Sequence, residues 1–150
     1  MQEVKEELFK HCEKFVQHRH EQILKQLSSI RESLLSETKS SAGDKHETGR
    51  AMLQLEREKA GIQLKHILQV KVILDSIRLK KSDSKILLGS LVSTSQGNYF
   101  LSISAGSLTI DKTNYFTLTC DSPLGKIFLG KESGDIVQFR NQKIKILAVD

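Results

Sequence analysis

Two long stretches in the first half of the chain carry apolar residues in steps of three and four, interrupted by Arg19 in the first stretch and by Lys59 and His66 in the second. In the first stretch they are Val4, Leu8, Cys12, Phe15, Ile23, Leu27, Ile30 and Leu34. In the second they are Leu55, Ile62, Val70, Ile73 and Ile77, with Leu53, Leu64, Ile67 and Leu74 widening the same face. This spacing predicts two amphipathic helices of about 33 residues, each roughly 50 Å long. Because their lengths match, we expect an antiparallel coiled-coil hairpin.

The pattern changes after the polar run Lys80-Lys81-Ser82-Asp83-Ser84, where residues typical of β-strands become frequent. We predict six strands, at Leu91 to Thr94, Tyr99 to Ile103, Ser107 to Ile110, Phe116 to Cys120, Ile136 to Phe139 and Lys143 to Val149. In the last strand, alternation places Ile144, Ile146 and Ala148 on one face.

One short helix is predicted between the fourth and fifth strands. Ser122 suits the N-cap, Pro123 suits the first helical position, and Gly130 is placed to end the helix. The predicted fold class is therefore α+β. A helical hairpin over 1–80 is followed by a small, mainly antiparallel β-sheet domain with one short helix over 84–150.

The tip of the predicted hairpin, near 36–50, is polar and contains glycine: S-E-T-K-S-S-A-G-D-K-H-E-T-G-R. Asp44 and Glu47 are three residues apart, so both carboxylates fall on one face if the second helix begins here. The same spacing fits a capping box, with Asp44 as the N-cap and Glu47 reaching back to it. Gly49 disfavours a helix interior by about 1 kcal/mol, which suggests either fraying or close approach to a partner.

Composition and charge narrow the function classes. Aromatic residues make up 5% of the chain, which fits a slender hairpin and a small domain better than one large core. Lys and Arg exceed Asp and Glu by 15 to 12 in residues 1–80 and by 8 to 6 in residues 81–150, so no basic arm predicts sequence-specific DNA binding. Cys12 and Cys120 form no metal-binding pair, and Cys12 is expected in the core. No apolar run is long enough for a membrane span. We expect a cytoplasmic monomer without membrane contact.

The stretch S-P-L-G-K-I-F-L-G-K-E-S-G-D-I-V over 122–137 resembles a signature of the bacterial Gre transcript-cleavage factors of RNA polymerase. At the tip, Gly43-Asp44-x-x-Glu47 is similar to the glycine-aspartate-x-x-glutamate of that family's catalytic tip. The resemblance implies an N-terminal coiled-coil hairpin and a C-terminal domain of FKBP-like fold. It also implies a factor that binds RNA polymerase and inserts the hairpin into its secondary channel.

Under this resemblance the chain is not itself an enzyme. It stimulates the polymerase's own cleavage of backtracked RNA and meets the nascent RNA 3′ end only indirectly. Asp44 and Glu47 would be the catalytic pair, a half-site for a Mg²⁺ ion that is shared with the polymerase active site and is not bound by the free protein. Lys45, His46 and Arg50 would contact RNA phosphate or polymerase carboxylates, or would simply be solvated.

The second domain would supply the binding surface for polymerase. The resemblance places that surface on the loop and helix from 122 to 131, through Ser122, Pro123, Leu124, Lys126 and Lys131. The competing interpretation is that Pro123, Leu124 and Gly130 only shape the domain.

The tip also departs from the family pattern. Thr48-Gly49-Arg50-Ala51 stands where the family usually has an asparagine-alanine-glutamate-tyrosine run, so Arg50 replaces an acidic residue. An alternative function is therefore a secondary-channel inhibitor that does not stimulate cleavage. A coiled-coil chaperone or prolyl isomerase unrelated to transcription is the third hypothesis.

Overall fold

The computed structural model describes residues 1–39, 44–79 and 84–150, with the backbone alone at 38–39 and 44–46. Its elements are α1 (Gln2–Lys39), α2 (Asp44–Asp75), β1 (Leu91–Thr94), β2 (Gly97–Ser102), β3 (Ser107–Ile110), β4 (Thr113–Thr119), α3 (Pro123–Phe128), β5 (Ile136–Phe139) and β6 (Gln142–Val149). The predicted α+β class is confirmed. No helix in these ranges is both long and apolar enough to cross a membrane.

Packing divides the described chain into two compact units. The first unit contains Met1–Phe15 together with Val72–Asp150, and the second contains Val16–Lys71. The first unit thus combines the start of α1, the end of α2 and the whole sheet. The division describes packing and not independent folding, so the predicted domain boundary between 80 and 84 stays a prediction. The polar run Lys80–Asp83 that suggested it lies outside the described residues.

In the second unit, α1 and α2 bury one stripe each. On α1 the buried residues are Val16, Ile23 and Ile30, and on α2 they are Ala60 and Ile67. Leu55 and Ile62, which the sequence suggested for the packed face of α2, are instead 51% and 71% exposed. The correction has a simple cause, because Ala60 and Ile67 are one heptad apart and lie on the opposite side of the helix from Ile62.

The six strands form one sheet in the order β3-β4-β2-β1-β6-β5. Four of its five strand pairs are antiparallel, as predicted, and only β2 and β4 run parallel. The parallel pair follows from the strand order. After β2 the chain skips one strand position and forms β3 at the edge of the sheet. β4 then fills the skipped position, antiparallel to β3 and therefore parallel to β2. The centre of the sheet is therefore β2 and β1.

One face of the sheet packs under α3. Phe128 and Leu124 of the helix join Val92, Leu101 and Ile146 of the strands in a single buried cluster. Phe128 is fully buried, and its ring centroid lies 5.4 Å from that of Tyr99. Alternation along the strands explains the set, because each of these strand residues points to the same side as its cross-strand neighbour.

The start of α1 packs against the opposite face of the sheet. His11 Nε2 donates a hydrogen bond of 2.8 Å to the carbonyl oxygen of Ala105, and Cys12 Sγ lies 3.6 Å from Ser102 Oγ. Leu8 and Phe100 are fully buried. Burial raises the pKa of the Cys12 thiol. The expectation that Cys12 belongs to the core is confirmed.

The last strand departs from simple alternation. Ile144 and Ile146 are buried as predicted, but Ala148 is exposed. The pairing of β1 with β6 shifts register at Ser93 and Thr94, which face Ala148 and Ile146 in turn. This β-bulge reverses the faces beyond Ile146, so that Val149 rather than Ala148 packs against the buried cluster.

Lys5 is fully buried in the first unit, and its burial gives a test of the packing of α1 on the sheet. Burial lowers the pKa of Lys5 below 10.5, although the charge of Asp150 opposes that shift. Just below pH 10.5 the unfolded chain therefore keeps a proton at Lys5 that the folded chain has lost, and the free energy of unfolding rises with pH there.

We predict that Lys5→Met abolishes this rise, because Met has no group that titrates. Urea denaturation at several pH values around 10 measures the effect. The exposed change Lys10→Met is the control, and it should leave the pH dependence of the parent intact. A parent-like rise in the Lys5→Met variant would contradict the prediction.

Candidate functional site

The tip of the hairpin is defined by the end of α1 at Lys39 and the start of α2 at Asp44. Gly43 lies outside the described residues. α2 begins at Asp44, so Asp44 and Glu47 occupy its first turn, while the capping box and the metal half-site both stay predictions. Lys45 and His46 lie between them in the same turn.

Glu47 is the first side chain of α2 that the structure describes, and it is exposed. Its carboxylate is open to solvent and could bind a cation or meet a partner. Arg50 follows three residues later on the same face and is half-buried. A basic residue therefore follows Glu47 by about one helical turn.

Gly49 lies against α1. A Cβ atom added at Gly49 would come 3.6 Å from the Glu37 carboxylate, an ordinary van der Waals distance. An alanine would fit at this contact, so the two interpretations of Gly49, fraying and close approach to a partner, stay predictions. The contact brings a third carboxylate, which the sequence analysis did not single out, to the beginning of α2. The sequence shows Glu37 only as a charged residue near the end of α1, and periodicity alone does not distinguish it from a solvated residue.

The donor chemistry at the tip suits a hard cation. Carboxylate oxygens are the usual protein ligands of Mg²⁺, which retains waters and takes further ligands from phosphates. Among the side chains described, no group of three or more His, Cys, Asp or Glu is placed to hold a metal ion. Asp44 and Glu47 would contribute two carboxylate groups to such a site, and the octahedral coordination of Mg²⁺ requires further oxygen ligands.

The second predicted surface begins with a helix cap. Ser122 Oγ accepts a hydrogen bond of 3.0 Å from the Gly125 backbone N–H and donates one of 2.7 Å to the Thr119 carbonyl oxygen. Pro123 occupies the first helical position. At the other end, Leu129 is the C-cap and Gly130 has a φ of +80°. The predicted start and end of this helix are confirmed.

Gly125 is fixed by a steric constraint that the sequence does not reveal. A Cβ atom added there would come 2.0 Å from the Thr119 carbonyl oxygen and 2.9 Å from Ser122 Oγ. Only hydrogen fits between the start of α3 and the end of β4. The glycine of the Gre-like signature thus serves the packing of α3 on the sheet.

The later signature residues also shape the domain. The Asp135 carboxylate accepts a hydrogen bond of 2.8 Å from the Glu132 backbone N–H and closes the turn that leads into β5. Gly134 in that turn has a φ of +94°, a region that suits glycine. Val137 is buried in the α3 cluster. These contacts account for glycine, aspartate and valine at these positions without a partner.

The five residues proposed for polymerase binding separate by exposure. Pro123, Lys126 and Lys131 are exposed, Ser122 is half-buried in its cap, and Leu124 belongs to the core. Only the exposed three could contact a partner without rearrangement. Leu87 and Leu129 are 47% and 38% exposed, and they adjoin Ile86 and Gly130, whose backbones are hydrogen-bonded to each other. Sequence analysis missed these two, because an apolar residue gives no local sign that it lies at the surface.

The comparisons with known proteins are sparse. No protein-family model matches the chain, and no curated protein matches it. One similar solved structure is described as the structure of the transcription factor Gfh1. Its TM-score is 0.34 at 20% sequence identity, and the similarity covers 87% of this chain and 92% of that chain. A TM-score of this size carries no inference about function, so the function of this chain must be argued from its own residues.

The steric role of Gly125 is directly testable. We predict that Gly125→Ala lowers the free energy of unfolding by at least about 2 kcal/mol, because the new methyl group must push α3 away from β4. Gly49→Ala is the matched control. It makes an ordinary contact and should stabilise the chain by up to about 1 kcal/mol through helix propensity. Chemical denaturation of both variants measures the difference, and parent-like stability of Gly125→Ala would contradict the assignment.

Proposed function

We propose that this chain is a Gre-like transcription elongation factor. It binds RNA polymerase through the sheet domain, inserts the tip of the hairpin into the secondary channel, and stimulates the polymerase's own cleavage of backtracked RNA. The chain acts as a cofactor of the polymerase and performs no reaction alone. It meets the RNA 3′ end only inside the polymerase.

The observation that carries this proposal is the position of the acidic pair. α2 begins at Asp44, and Glu47 is exposed in its first turn, where α1 and α2 are joined. A purely structural capping box needs the same two residues. A capping box does not explain why the two residues also resemble the Gre tip motif, or why the same chain carries the Gre-like signature at 122–137.

Mg²⁺ is the metal that this pair would help to hold. The ion supplies charge neutralisation and a water of lowered pKa when it is bound. Asp44 and Glu47 would contribute carboxylate oxygens and orient the half-site at the helix start. The polymerase and the RNA phosphates would complete the coordination, which explains why two carboxylates suffice on this chain.

Arg50 supports a second candidate function. It lies on the same helix face as Glu47, where the Gre pattern has an acidic residue, and its positive charge opposes cation binding at short range. A factor with this tip could occupy the secondary channel and inhibit the polymerase without stimulating cleavage. The parent chain separates the two candidates in a transcript-cleavage assay on stalled elongation complexes, since only the first candidate releases shortened RNA.

We predict that the double variant Asp44→Asn/Glu47→Gln loses cleavage stimulation by orders of magnitude while it still binds polymerase. Asn is as good an N-cap acceptor as Asp, and Gln can replace Glu in a capping box, so the helix should change in stability by only a few tenths of a kcal/mol. The lost negative charges matter to a Mg²⁺ ligand far more than to a cap.

The control for this experiment is Glu56→Gln/Asp75→Asn, which removes the same charge from exposed positions elsewhere on α2. It should cleave like the parent. Cleavage by Asp44→Asn/Glu47→Gln at the parent's rate would show that the pair serves only as a cap. Absence of cleavage by the parent itself, with polymerase bound, would favour the inhibitory function.

Binding to polymerase is tested separately at the sheet domain. We predict that Lys126→Glu/Lys131→Glu weakens binding to core polymerase at least about tenfold with little change in melting temperature, because exposed charges contribute little to stability. The control Lys143→Glu/Lys145→Glu reverses two exposed charges on β6 and should bind normally. Equal binding by both variants would move the interface elsewhere. Failure of the parent to copurify with polymerase would reject the proposed function and favour the chaperone or isomerase hypothesis.

A further inference from the structure

α2 carries a second stripe of side chains that faces away from α1. It comprises Leu55, Glu58, Ile62, Lys65 and Gln69, spaced by three and four residues, and all five are exposed. Ile62 is 71% exposed and Leu55 is 51% exposed. The spacing is that of a coiled-coil seam, but α1 lies on the other side of the helix. This outer stripe therefore has no partner within the described part of the chain.

The charges on the outer stripe lie on either side of Ile62. Glu58 lies four residues before it and Lys65 lies three residues after it. Residues seven apart on a helix are roughly 10 Å apart along its axis, too far for Glu58 and Lys65 to pair with each other. Each charge is thus available to an opposite charge on another molecule.

We infer that the outer stripe binds a second copy of this chain, with the two α2 helices antiparallel and related by a two-fold axis at Ile62. In that arrangement residue 62 meets its own equivalent, residue 55 meets residue 69, and residue 58 lies within about 1.5 Å of the axial level of residue 65. The two Ile62 side chains bury each other at the centre. Glu58 of each copy lies beside Lys65 of the other, which gives two symmetric ion pairs, and Leu55 packs on the aliphatic part of Gln69.

Charge complementarity selects this occupant and this orientation. A parallel pair in register would bring Glu58 against Glu58 and Lys65 against Lys65, which is repulsive. The antiparallel pair matches every charge on the stripe, as an isologous two-fold interface requires. The stripe is short, so the dimer is weak and depends on concentration. This inference replaces the monomer expected for the free protein and does not rest on the proposed function.

The test is a charge swap measured by sedimentation equilibrium over a concentration series. The parent should associate reversibly. Glu58→Lys and Lys65→Glu should each raise the dimer dissociation constant at least about tenfold, because the symmetry turns two attractions into two repulsions. The double variant Glu58→Lys/Lys65→Glu should restore association. Glu56→Lys is the control, since it lies two residues and about 200° around the helix from Glu58 and should associate like the parent.

A cross-linking experiment checks the register independently. In a Cys120→Ser background, Ile62→Cys should form a covalent dimer under mild oxidation, whereas Glu56→Cys should not. A parent that is monomeric at every concentration would overturn the inference. So would a double variant that fails to regain association, or oxidation of both cysteine variants to the same extent. Circular dichroism melts of all variants establish that they remain folded.

Discussion

The sheet has apolar side chains on both of its faces, and that constraint governs the rest of the structure. Val92 and Leu101 on one face pack with α3, while Phe100 and Ser102 lie on the other face, where Ser102 contacts Cys12 of α1. Neither face could remain in water, since each fully buried large side chain is worth about 2 kcal/mol in transfer free energy. The start of α1 is therefore part of the sheet's core, and the same continuous helix goes on to form one arm of the hairpin.

The elements of this fold follow from sequence periodicity, but the choice of packed faces does not. Both helices and all six strands were predictable because their apolar residues repeat at 3.6 or 2 positions. On α2 two apolar stripes compete, and the packed one contains Ala60, which is fully buried. Hydrophobicity scoring favours Leu55 and Ile62 over an alanine. The bulge in β6 was equally hidden, because it depends on the register with β1.

At the candidate site, the Ser122 cap was predictable from local chemistry. The need for glycine at 125 was not, because it is set by the distance to Thr119.

The Gre-like signature therefore has a structural explanation at most of its positions. Ser122 caps α3, Gly125 admits it against β4, and Asp135 closes the turn before β5. Residues of this kind indicate a similar packing of a helix on a sheet, and they give little information about what a chain binds. The functional difference between related chains must lie in exposed residues such as Lys126, Glu47 and Arg50. Of these three, Glu47 and Lys126 match the Gre-like motifs, and Arg50 departs from them.

Entry into the polymerase channel and self-association would compete for α2. A hairpin that enters a narrow channel must present α2 to the polymerase, whereas the dimer covers the outer stripe with a second copy. If only the monomer can enter, the apparent dissociation constant for polymerase equals the intrinsic one divided by the monomeric fraction. Self-association then raises this apparent dissociation constant as the concentration of the factor rises, without any change at Asp44 or Glu47. Charge reversal at Glu58 would increase the monomeric fraction and so tighten apparent binding, an effect opposite in sign to that of charge reversal at Lys126. The direction of the change in apparent affinity thus distinguishes a residue that contacts polymerase from one that contacts the second copy of this chain.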